Sequence, residues 1–340
     1  MTSGTGQPQA SHRLRGILLR QETILFFILV IGVLLMSTLS DVFLTPENLL
    51  NQGRLATEIA LLALPMTLII ITGGIDLSVG STLGLAAIML GVAWHNWGLP
   101  LEAAIVVALA VGTLCGLFNG FFITRIGLPP LIVTLATLAL FRGLAEGIAQ
   151  ARSVRGYPEW FYILGQEDFD AFGLVNFPNQ LFLVVIAIVA IGAALAFTPF
   201  GRSLYATGNN EVAARFSGMP VLRNKMIIYA LSGFMAGLAG WVLVSRVSTT
   251  RSDMGTSFEL TAITAVVVGG TSIFGGSGTI LGTVLGLTLI QLMKNGLALS
   301  GAKGDSTTIV VGLVLILAVL INTLIQNPPT RLKRLLPGQA

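Results

Sequence analysis

The chain has 340 residues, 54% of them hydrophobic and only 10% charged, with 40 glycines and a mean hydropathy of +0.86. Ordinary soluble domains carry about 25% charged residues, so most of this surface does not face water and a soluble enzyme or binding module is excluded. The net charge of +4 is dispersed among loops and does not read as a nucleic-acid patch, and the single cysteine, Cys115, excludes an intramolecular disulfide.

Residues 1–20 read as a polar, basic tail with no apolar period, expected to be disordered. Ten apolar segments follow, near 22–40, 56–73, 78–95, 101–123, 131–149, 181–198, 226–245, 259–274, 279–298 and 306–326. No small-residue cleavage site follows the first, so it reads as a retained helix and not as a signal peptide. The eighth is short enough to be re-entrant. Residues 328–340 form a second short tail. The expected fold class is an all-α polytopic integral membrane protein with about ten transmembrane helices over 21–327, some of them broken or re-entrant pairs.

Placing the N-terminus inside puts eleven basic residues on the cytoplasmic side, among them Arg125, Arg202, Arg215, Arg223 and Lys225, against six outside. Lys and Arg are retained in cytoplasmic loops and an even span count puts both termini on one side, so both are expected in the cytoplasm. Only two loops are long: an external one over 150–180, rich in aromatics and acids, and a cytoplasmic one over 199–225.

Within the spans, the sequence from Thr67 to Gly84 reads TLIIITGGIDLSVGSTLG: an apolar helix, the pair Gly73-Gly74, a lone Asp76, then Ser78 and another apolar helix. An intramembrane carboxylate costs roughly 2.5–3.5 kcal/mol even on the lenient insertion scale. Its plain role is to accept hydrogen bonds from amides that open the next helix, near the cytoplasmic end of the second span. A functional role fits as well, because irregular backbone inside a membrane persists only against protein or a water-filled cavity. A second glycine-rich break, VVVGGTSIFGGSG, includes Gly269, Gly270, Gly275 and Gly276 and echoes the first. Paired broken spans point to a solute route, so these eight positions are the candidate pathway residues.

Other features are weaker. Gly270 to Gly275 has the spacing of a P-loop but lacks its lysine, so the chain does not hydrolyse ATP by itself. Glycines at 112, 116 and 120, and at 278, 282 and 286, form small-xxx-small faces for helix contact. Arg142 and Glu146 are expected to pair across one helical turn, and Lys294 to reach the headgroups. His12 and His95 have no second ligand at usable spacing, so neither a metal nor a catalytic site is expected.

The cytoplasmic loop reads PFGRSLYATGNNEVAARFSGMPVLRNK. Asn209 or Asn210 caps a short helix, Glu211 and Arg215 pair at i, i+4, and Gly218-Met219-Pro220 stops it. Val212, Ala213 and Phe216 give it a small apolar face, suited to a groove on a partner.

GGIDLSVGS, GLFNGFFITRIGLPPLIVTLATLALFRGL, FGRSLYATGNNEVAARFSGM and ELTAITAVVVGGTSIFGGSGTILGT, in that order, resemble the permease subunits of bacterial ribose/xylose-type ABC sugar importers, with the autoinducer-2 and rhamnose branches nearest. The resemblance implies a permease in the bacterial inner membrane that binds no cofactor. ATP and Mg are held by a partner, a cytoplasmic ATPase usually made of two fused halves. It also implies a periplasmic or extracellular sugar-binding protein and a second permease copy or paralogue. It assigns the coupling helix that touches the ATPase to Asn209, Asn210, Glu211, Ala213, Arg215 and Gly218. The alternative is an ion-coupled secondary transporter, which normally carries acids or histidines deep in several spans.

Overall fold

A computed structural model describes residues 21–171, 175–299, 301 and 304–326. The expected terminal tails, 1–20 and 328–340, lie outside the described residues. The main helices are α1 (Gln21–Leu39), α2 (Pro46–Ile71), α3 (Val79–His95), α4 (Leu101–Phe121) and α5 (Pro130–Ala149), then α6 (Glu159–Tyr162) and α7 (Asn179–Phe197). They continue with α8 (Pro199–Asn209), α9 (Glu211–Phe216), α10 (Val221–Val247), α11 (Phe258–Val268), α12 (Ile280–Leu299) and α13 (Gly304–Gln326). Among the described residues six helices are long and apolar enough to cross a membrane: α2, α4 with its π-helical extension Phe122–Ile126, α5, α7, α10 and α12. The protein is a multi-pass, mainly helical membrane protein.

Local chemistry sets the helix ends. Thr45 caps α2, with Pro46 at its first position. The π turn after α4 closes on Gly127 in the left-handed region, and Pro129-Pro130 then starts α5. Packing rests on small residues. Gly112 and Gly116 of α4 lie directly on Gly233 of α10, and Gly282 and Gly286 of α12 lie on Gly269 and Ala265, with no room for a methyl group at any of them. Those are two of the expected small-residue faces, and each lets backbones meet where water provides no drive. Gly278 instead sits in the turn before α12, against Thr271. Helix α1 packs on α12, with Met36 against Gly296.

Helix α2 is almost wholly buried from Thr57 to Ile71 and runs antiparallel to α10. Glu58, early in α2, meets Arg246 at the end of α10, whereas Gly74, just past α2, lies against Tyr229 near the start of α10. The described residues of the long loop over 150–180 form a cap on the bundle. Tyr157 stacks between Trp94 and Phe161, with ring centroids 4.5 and 4.8 Å away, and its hydroxyl meets Thr250 Oγ1 at 2.5 Å. Burial, partly offset by that bond, pushes the Tyr157 hydroxyl up to about 12. Strand β1 (Val154–Arg155) pairs with β4 (Thr249–Thr250), and β2 (Asp168–Ala171) with β3 (Val175–Pro178). Asp168 is ion-paired to Arg54, and Ser245 Oγ donates to the carbonyl of Phe161 at 2.6 Å.

Candidate translocation and coupling site

Helix α3 has 17 residues against 26 in α2, so at 1.5 Å per residue it is about 13 Å shorter. The difference is made up by residues 72–78, which climb back from the end of α2 before α3 begins. Asp76 is placed by that climb. Its Oδ1 accepts from the Ser78 amide at 3.0 Å and the Ser78 hydroxyl at 2.7 Å, and its Oδ2 accepts from Ser232 Oγ at 3.1 Å. Asn119 Nδ2 extends the network by donating to Ser78 Oγ at 2.8 Å. Ser232 stands about 16 Å along α10 from Val221, so Asp76 lies inside the helix bundle. Asp76 and Ser78 are both buried. The carboxylate ties the start of α3 to α10, beyond the simple capping expected from sequence.

The same construction recurs with opposite direction. After α10 the chain leaves helical geometry over 248–257 and returns as α11, only 11 residues long. In the fold the mate of the first break is therefore 248–257, and not the glycine run at 269–278. The eighth apolar segment, expected over 259–274, ends as a helix at Val268. The two half-helices start side by side: Gly80 in the first turn of α3 touches the Gly255 carbonyl and the Glu259 carboxylate. Arg142 does not pair with Glu146. Its Nη1 donates to the carbonyls of Ser252 and Met254 at 2.7 and 2.9 Å, because non-helical backbone inside the bundle needs donors that no neighbouring turn supplies. Arg142 also acts electrostatically on Glu259.

The glycine run at 269–278 has a different task. Gly269 packs on Gly282, and Gly270, Gly275 and Gly276 have φ of +93°, +87° and +79°, which bend the chain tightly between α11 and α12. The Gly276 amide donates to the carbonyl of Ile71 at 2.9 Å, and a side chain at Gly275 would reach Gly73 N at 3.1 Å. The predicted glycine segments thus meet each other. Gly208 of α8 fits against both, touching the Ile71 carbonyl and the Gly276 amide, and Asn209 lies over Gly276.

Helix α9 begins directly beyond this contact. Asn210 is its cap, its Oδ1 accepting from the Ala213 amide at 2.9 Å. Asn209 instead donates to the carbonyl of Tyr205 at 3.0 Å. Glu211 accepts from Arg215 at 2.7 Å and from Lys225 at 2.6 Å, the second partner being one that sequence spacing does not suggest. Partial burial pushes the Glu211 carboxyl up, but the bonds and charges of Lys225 and Arg215 outweigh it and hold the group below its ordinary value. Gly218, at φ +79°, ends the element. Phe216 is 90% exposed and Val212 63%, so the apolar face points away from the rest of the chain. Sequence reasoning missed Glu58, Lys225, Ser232 and the role of Arg142, since each depends on a partner distant in the chain.

Residues 48–319 match the family model described as branched-chain amino acid transport system / permease component. The chain is 37% identical over 304 residues to the autoinducer 2 import system permease protein LsrD of Photorhabdus luminescens, covering 88% of this chain and 90% of that one. It is 40% identical over 267 residues to the protein of the same name from Yersinia enterocolitica, covering 77% and 79%. Against that of Yersinia pseudotuberculosis it is 36% identical over 304 residues, with 88% and 90% covered. A multi-pass helical bundle with an exposed loop helix and a family match over most of its length identifies the chain as a member of this transport permease family, a membrane translocation subunit and not an enzyme.

Proposed function

We propose that the chain is the permease of an ATP-driven, binding-protein-dependent importer for a small sugar-like solute of the autoinducer 2 type. The observation that carries this reading is the three-way contact at Gly208, where the segment leading into α9 touches both glycine breaks. A partner that moves α9 thereby moves the end of α2 and the turn between α11 and α12 together. Packed elements with two discrete arrangements transmit such a displacement. The exposed Val212 and Phe216 fit a groove on a cytoplasmic ATPase, proposed to be a tandem-domain chain that holds ATP and Mg.

In this reading all ten long apolar segments cross or enter a bacterial inner membrane, with both termini in the cytoplasm. A periplasmic binding protein delivers the sugar to the outer cap, and a second permease copy or paralogue completes the path. The names of the relatives supply the solute class, and the scarcity of intramembrane charge agrees with a neutral, hydroxyl-rich cargo.

The test is reconstitution of the permease with its ATPase and binding protein in proteoliposomes, followed by uptake of labelled autoinducer 2. Uptake is expected only with ATP, Mg and the binding protein all present. Uptake driven by a proton or sodium gradient in the absence of ATPase would establish the secondary-transporter alternative instead.

A further inference from the structure

The segment 248–257 is non-helical over most of its length although it runs alongside α3. Thr250 lies against Gly91, the Met254 carbonyl against Gly84 and the Gly255 carbonyl against Gly80. Such backbone persists at membrane depth only where protein or water surrounds it. One flank is covered by α3 and Arg142. On the other, Thr256, Ser257 and Leu260 are exposed and open on a cavity of about 190 Å³ between α11, α12 and α13.

Thr256, Ser257, Thr261, Thr264 and Lys294 supply the polar lining. Each threonine hydroxyl spends its hydrogen on a backbone carbonyl: Thr256 on Asp253 at 2.6 Å, Thr261 on Ser257 at 3.3 Å and Thr264 on Leu260 at 2.6 Å. They therefore offer lone pairs to whatever enters. Lys294 offers only donors and has no ion-pair partner among the described residues. It stands five residues before the end of α12 and lines the cavity, where a threonine-coordinated solute is within its reach. Fixed acceptors facing a fixed donor suit a molecule that both donates and accepts at several positions, which is the chemistry of a polyol. The volume is below the ~300–1,000 Å³ of drug-sized pockets and admits a monosaccharide-sized solute, not an oligosaccharide.

We propose that this cavity at the outer end of α11 is a solute subsite within the membrane, where hydroxyls of a small sugar donate to Thr256, Thr261 and Thr264 and accept from Lys294. The inference rests on the importer reading and deepens it. In the assembled importer carrying Cys115→Ala, Thr256→Cys is treated with the permanently charged, membrane-impermeant reagent methanethiosulfonate ethyltrimethylammonium, with Leu313→Cys as a control on an exposed apolar face of α13. Modification at least tenfold faster at position 256 is expected; equal rates overturn a water-lined cavity. In uptake of labelled autoinducer 2, Thr261→Val is expected to lower transport at limiting solute at least fivefold and Thr261→Ser to stay within twofold of the unmodified importer. Wild-type uptake by Thr261→Val overturns the subsite. Absence of uptake by the unmodified importer counts against the importer reading, whereas the thiol rates bear on the cavity alone.

Discussion

The amide of Gly276 donates to the carbonyl of Ile71 at 2.9 Å, joining the turn before α12 to the last residue of α2 across more than two hundred residues of chain. Gly208 closes the same contact from the loop helix α8.

Gly208→Val places a branched side chain where not even a methyl group fits between the Ile71 carbonyl and the Gly276 amide. Uptake in proteoliposomes should fall at least tenfold. Gly143→Ala, at an open site in α5 with no neighbouring atom within 4 Å, should leave it within twofold. Equal behaviour of the two variants would remove the three-way contact from the coupling route.

The Glu58–Arg246 pair, 2.8 Å apart with the glutamate buried, ties α2 to α10 beneath the aromatic cap. Arg246→Met strands that carboxylate, and breaking a buried pair from one side costs about 3–5 kcal/mol. Thermal unfolding in detergent should show the loss, and the double variant Glu58→Gln/Arg246→Met should recover more than half of it. A double variant as unstable as the single one would mean that the charge is not what matters.

Ser232→Ala removes one of the hydrogen bonds to Asp76 and leaves Oδ2 short of a donor. Hydrogen bonds to charged groups are worth about 1.5–3 kcal/mol, so a comparable loss of stability is expected. Asp76→Ala should cost more, because it also releases Ser78 and, through it, Asn119. The order of the two melting temperatures checks the network; the reverse order contradicts it.

Glu211 is held below its ordinary value of 4.5 by Lys225 and Arg215. A carboxyl lowered on folding stabilises at pH above its unfolded value, and that contribution is lost as pH falls through the folded value. Order in α9 should therefore be constant from neutral pH down to about 5 and decline below that. Backbone amide exchange of 211–216 reports it, and Glu211→Gln should flatten the profile. Separately, the charge-reversed pair Glu211→Arg/Arg215→Glu should reduce ATP-driven uptake severalfold, given that Lys225 cannot follow the swap. Unchanged uptake would sink the docking role of α9.

Much of this architecture is legible because it is local. Apolar runs locate the long helices, glycine spacing marks the faces at 112 and 116 and at 282 and 286, and Asn210 with Glu211 and Arg215 spells out a capped helix. The break at 248–257 is not legible: Arg251 and Asp253 make it read as an external loop, and periodicity carries no information on depth. Arg142 illustrates the same limit. Glu146 is the partner that helical spacing offers, but the carbonyls of Ser252 and Met254, over a hundred residues away, have the greater need of a donor. Glycines 269 to 276 are legible as a break but not in its detail, since a tight turn, a close helix crossing and a broken span all use the same residue.

The ring stack of Trp94, Tyr157 and Phe161 and the strand pair that anchors it hold this end of the bundle in one arrangement. In the proposed importer, a binding protein docking there loses its own tumbling freedom but spends little on organising the platform beneath it. Recognition on such a surface can be specific without being tenacious. That suits a carrier that must hand over its load and leave.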